Sequence, residues 1–92
     1  MLFRSNVKLA QALYGYGMYP EAIASAQLGK SKGGDPDATE ADMVIGQAQA
    51  ATGQYAAAAT TFAAVQQSNP AAARVVRLWT YYVKTKTNPA AN

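Results

Sequence analysis

Ninety-two residues make one small domain, and half of them are apolar. Chains of this size bury only about two-thirds of the surface their unfolded form exposes. Neither cysteine nor histidine is present, which removes disulfides, thiolate metal sites, the commonest zinc ligands and the usual general base near neutral pH. Eight basic against five acidic residues leave a net charge of +3, a mild excess that favours an acidic partner and falls short of a polybasic tract.

The elements follow in chain order. Phe3, Val7, Leu9, Ala10 and Leu13 fall at helical spacing between Leu2 and Tyr14, and Gly15 with Gly17 ends the run. Pro20, tolerated in a first turn, opens a second helix through Ile23 and Leu28 towards Gly33-Gly34. A third helix opens at Asp35-Pro36-Asp37, either with Asp35 as cap and Pro36 in the first position or with Asp37 and Glu40 as a capping box. It carries Met43, Val44, Ile45 and Ala48 to Gly53, a left-handed stop. A fourth helix spans about Gln54 to Ser68. Asn69-Pro70 closes it and caps a fifth, from about Ala71 to Lys86, whose last-turn Lys84 and Lys86 suit the negative end of its dipole. Thr87 to Asn92 reads as a frayed tail. No segment alternates as a strand does, so the chain is expected to be all-α.

Gly17 to Ala22 (GMYPEA) returns as Gly53 to Ala58 (GQYAAA), with Gly17/Gly53, Tyr19/Tyr55 and Ala22/Ala58 each 36 residues apart. Such a period marks a stacked supersecondary unit, and stacks of this kind serve binding more than catalysis. The stretch Ile45-Gly46, Gly53, Tyr55, Ala58, Phe62, Asn69-Pro70 resembles a tetratricopeptide repeat. Gly46 and Ala58 are small where two helices would cross, and Phe62 would fill the groove one turn on. The earlier copy keeps Leu9-Ala10, Gly17, Tyr19 and Ala22. It has Ala26 in place of Phe62 and no closing proline, with Gly33-Gly34 holding its two extra residues. Trp79 lies 34 residues after Ile45, so the fifth helix resembles the first helix of a third repeat. The resemblance implies a right-handed helical solenoid: repeat one at about 3–34, repeat two at about 37–70, a closing helix at about 71–86, and a tail at 87–92.

Three motifs fail on context. Ala24 to Ser31 loosely fits a phosphate loop but lies in the body of a helix with no strand before it. Gly15-x-Gly17 lacks the third glycine and flanking strand of a dinucleotide fingerprint. Asp35-x-Asp37 with Glu40 and Asp42 lacks the turn glycine and closing glutamate of a calcium loop, and helix-start charge explains it.

On the fifth helix, Trp79, Tyr82 and Val83 fall with Val75, Val76 and Leu78 on one broad apolar face, expected to pack on the preceding helix pair. Arg74, Arg77, Tyr81 and Lys84 form the opposite stripe. Stepping that stripe back by the 34- and 36-residue periods, the resemblance implies a concave groove lined by Arg4, Gln11, Tyr14, Glu40, Met43, Gln47, Arg74, Arg77 and Tyr81. Arginine grips carboxylates bidentately, tyrosine supplies stacking area and glutamine bonds peptide backbone, a chemistry suited to an acidic or polar extended peptide. A carboxylate clamp of the kind one subfamily builds from Lys and Asn is not reproduced, because Val7, Gln11, Met43 and Gln47 occupy its positions.

The expectation is a non-enzymatic module, without cofactor or metal, that binds another protein or peptide in its groove. Self-association into a homo-oligomer is the alternative, and RNA binding the weaker third. No apolar run approaches the ~20 residues that span a bilayer, and no secretory apolar core follows Met1. A complete chain would then be cytoplasmic, whereas a fragment leaves a periplasmic or other location open.

Overall fold

The computed structural model describes residues 6–31 and 37–87, and within them the chain is all-α. Five helices follow one another: α1 Asn6–Gly15, α2 Tyr19–Ser31, α3 Asp37–Ala51, α4 Tyr55–Ser68 and α5 Ala73–Thr87, with a 3-10 turn at Pro70–Ala72 between the last two. Each helix packs on the next, and α1 also touches α3. The resulting body is elongated, 46 × 27 × 17 Å.

The two copies of the glycine turn share one hydrogen-bonding pattern. The Met18 N–H donates to the Leu13 carbonyl at 2.9 Å and Gly17 N–H to Tyr14 at 3.0 Å. Thirty-six residues on, Gln54 donates to Gln49 at 2.8 Å and Gly53 to Ala50 at 3.2 Å. This is the paired 6→1 and 5→2 closure of a Schellman turn, which needs a left-handed residue at its hinge. Gly17 and Gly53 supply it with φ of 81° and 83°.

At the next junction the Asn69 side chain accepts a hydrogen bond from the Ala71 N–H at 3.2 Å, and its Nδ2 donates to Thr39 Oγ1 at 3.2 Å. The cap therefore starts the 3-10 turn, with Pro70 at its head. The helix proper begins at Ala73 rather than Ala71, and Thr87 belongs to α5 rather than to a tail. Asp35 and Pro36, on which the choice of cap for α3 turns, lie outside the described residues, as do residues 88–92.

Small side chains let the helices approach closely. Val7, Ala10, Ala22, Ala26, Ala41, Val44 and Ile45 join α1, α2 and α3 in one cluster; Ala50, Ala58, Phe62, Val65, Val76 and Val83 join α3, α4 and α5 in a second. The two contact sites richest in consequence are glycines. A Cβ on Gly46 would lie 2.6 Å from Phe62 Cε1, and one on Gly29 would lie 3.0 Å from Val7 Cγ2. Phe62 is the largest fully buried side chain among the described residues and stabilises the fold by about 1.5–3 kcal/mol through its burial. Among the described residues no buried side-chain polar atom lacks a partner: Ser25 Oγ donates to the Asn6 carbonyl at 2.8 Å, and nearer the surface Lys30 pairs with the mostly covered Asp42 at 2.8 Å.

Candidate functional site: a cleft between alternate helices

Alternate helices α1, α3 and α5 form the walls of a cleft of about 420 Å³ lined by Tyr14, Gln47, Ala51, Leu78, Trp79 and Tyr82. Four of the six carry large apolar or aromatic bodies, and none is charged. The volume lies within the roughly 300–1,000 Å³ of ligand-sized clefts.

The cleft rests on a chain of aromatic contacts. Phe62, rooted in the core, stacks on Trp79 with ring centroids 5.8 Å apart and planes at 24°. Trp79 meets Tyr82 edge-on at 5.8 Å and 79°. On the opposite wall Tyr14 tilts against Tyr19 at 5.5 Å. Such offset and edge geometries each add about 0.5–1.5 kcal/mol beyond burial and hold the rings in place. Burial, with smaller contributions from Tyr19 and then Tyr82, pushes the Tyr14 phenol above its ordinary value of 10.0, so it stands neutral in the cleft wall as a hydrogen-bonding group. Lys86 places its Nζ 5.4 Å from the centre of the Tyr82 ring, a cation at the cleft's edge.

The nine groove residues expected from the sequence do not share this cleft. Tyr14 and Gln47 line it. Arg77 and Tyr81 instead border a separate depression with Gln66, Thr80 and Lys84, and Arg74 lies on the exposed side of α5. Glu40 is drawn towards Lys8, 4.0 Å away, Met43 packs against the second core cluster, Gln11 is half-buried on α1, and Arg4 lies outside the described residues. The cause is a register shift. Buried Ala41 and Ala48 of α3 correspond to Val76 and Val83 of α5, 35 residues later rather than 34. The same offset carries Asp42, Ile45 and Gln49, which line a depression between α2, α3 and α4, onto Arg77, Thr80 and Lys84 in theirs. One residue turns a helix by about 100°, enough to swing the basic stripe out of the cleft and bring Leu78 and Tyr82 in.

The apolar face of α5 needs the matching correction. Val76, Val83 and half-buried Trp79 pack on the preceding helices, whereas Val75, Leu78 and Tyr82 are 47%, 69% and 41% exposed. A signal for this was present in the sequence. From Leu78 round to Val76 the apolar arc spans about 160° at 100° per residue, wider than the ~100° stripe one packed face requires.

Among the described residues no group of His, Cys, Asp or Glu is placed to hold a metal ion, and no helix is long and apolar enough to cross a membrane. The described residues thus form an all-α succession of five helices, each packed on the next, with a cleft lined by three alternate ones. No protein-family model, curated protein or solved structure matches the chain.

Proposed function

We propose that the chain is a short, worn array of the tetratricopeptide type, and that it is a non-enzymatic module binding an extended segment of another protein in the α1/α3/α5 cleft. Support for the array comes from the turn geometry repeated at Gly17 and Gly53 and from Gly46 seated beneath Phe62. The observation that carries the function is the uncharged aromatic wall of Tyr14, Trp79 and Tyr82 around the Gln47 amide. Aromatic rings offer large contact area at low entropic cost, and a glutamine amide can pair with both an N–H and a C=O of a passing backbone. The favoured ligand is therefore a peptide presenting an apolar or aromatic side chain, with Lys86 at the rim welcoming an acidic flank.

Trp79 is the single tryptophan of the chain and lies in the cleft wall, so its emission reports on occupancy. A screen of extended peptides should yield binders that shift Trp79 fluorescence and that lose affinity in Gln47→Lys and Tyr82→Ala. Binders whose affinity is untouched by both substitutions would place recognition elsewhere.

A further inference from the structure

The register of 35 residues assigns a role to a second face of α5. On α3, the face bearing Met43, Gly46 and Ala50 receives α4: Phe62 lies over Gly46, and Met43 and Ala50 belong to the cluster that Phe62 anchors. The matching positions on α5 are Leu78, Tyr81 and Thr85. Here, among the described residues, Leu78 is 69% and Tyr81 64% exposed, with Thr85 half-buried beside them. A helix-receiving surface is thus present with its apolar contacts turned to water.

Two features of that face specify its occupant. Tyr81 stands where α3 has Gly46, so knob and hole are exchanged, and the incoming helix must offer a small residue, alanine or glycine, opposite the Tyr81 ring. Charge is equally one-sided: α5 carries Arg74, Arg77, Lys84 and Lys86 and not one acidic residue. Arg74 falls within the face between Leu78 and Tyr81, and Arg77 with Lys84 borders it.

We propose that this face of α5 docks an acidic amphipathic helix of a partner protein, continuing the helix stack in trans. Leu78 and Tyr81 supply the apolar contact, Tyr81 sets the demand for a small residue, and Arg74 with its basic neighbours selects acidic flanks. Charge of this kind raises the rate and selectivity of encounter, while the apolar contact holds the complex. The site is separate from the α1/α3/α5 cleft, meeting it only at Leu78.

The test uses a display library of helical peptides about four turns long on an alanine-rich scaffold, selected on the full chain and measured by fluorescence anisotropy. Selected sequences should carry Asp or Glu beside an apolar stripe interrupted by Ala or Gly. Tyr81→Asp should weaken them about tenfold or more. Arg74→Glu should weaken acidic peptides and spare charge-reversed ones, added salt should weaken binding, and Gln47→Lys in the cleft should leave it unchanged. Both variant positions on α5 are exposed, and an unaltered helical CD spectrum verifies the fold. The proposal is overturned if no helical peptide is enriched, if enriched peptides lack acids, or if they bind Tyr81→Asp as well as wild type. Two further results would overturn it in favour of another occupant: self-association that Tyr81→Asp abolishes, which names a second copy, or capture by anionic vesicles in the absence of peptide binding, which names a membrane.

Discussion

Gly46 lies against the edge of the Phe62 ring so closely that a Cβ there would stand 2.6 Å from Cε1 and 2.8 Å from Cζ. Phe62 is fully buried and stacked on Trp79, so it has no free direction in which to yield. Gly46→Ala should therefore destabilise the fold by about 1–3 kcal/mol, the usual cost of overpacking, despite the ~1 kcal/mol gain in helix propensity. Urea unfolding followed at Trp79 measures this. Phe62→Leu in the Gly46→Ala background should recover part of the loss, because neighbouring substitutions that share one clash are not additive.

Gly15 and Gly17 offer a controlled pair two residues apart. A Cβ on either would meet nothing within 4 Å, yet only Gly17 has positive φ. Gly17→Ala should cost about 1–2 kcal/mol through backbone strain, and Gly53→Ala should cost about the same. Gly15→Ala should be neutral or stabilise by up to about 1 kcal/mol, since it reduces the freedom of the unfolded chain. Thermal melts of the three variants decide it, and equal effects at Gly15 and Gly17 would contradict the turn geometry.

Burial raises the Tyr14 phenol above 10.0, helped by Tyr19 and then Tyr82. The folded state thus holds the proton more tightly than the unfolded state. Its contribution to stability is complete below the unfolded value and is lost as pH rises through the folded one. Comparison of wild type with Tyr14→Phe isolates this from lysine titration: the two stability curves should run parallel at neutral pH and draw apart above about pH 10, with wild type falling faster.

Arg77 borders the Gln66 depression and not the aromatic cleft. Arg77→Glu should accordingly leave uptake of a cleft-binding peptide within about twofold of wild type, whereas Gln47→Lys should weaken it about tenfold or more. Titration of the same peptide against both variants, read at Trp79, gives the ratio. A large loss at Arg77 would return the basic stripe to the binding site.

Much of the local architecture was legible because it depends on residues close in the chain. Gly17, Gly53 and Pro70 each act through backbone geometry within a few positions, and Asn69 through a side-chain cap two residues on, which is why the helix limits follow so nearly from the sequence. The face of each helix was harder to read. The stripe of Arg74, Arg77 and Tyr81 was sound as a stripe, but its azimuth depended on how many residues separate α3 from α5, and Gly29 gave no hint of its approach to Val7.

The sequence by itself determined five helices, their order, and the paired glycine turns, since propensity, caps and left-handed glycine are local properties of the chain. The tertiary structure alone decided which side of α5 meets the cleft. The 3-10 turn at Pro70–Ala72 precedes α5, whose buried positions follow those of α3 at 35 residues. One residue of offset is a rotation of about 100°, settled only when Val76, Trp79 and Val83 pack against α4 and α3. That packing leaves Leu78 and Tyr81 facing water and puts Tyr82 at the cleft.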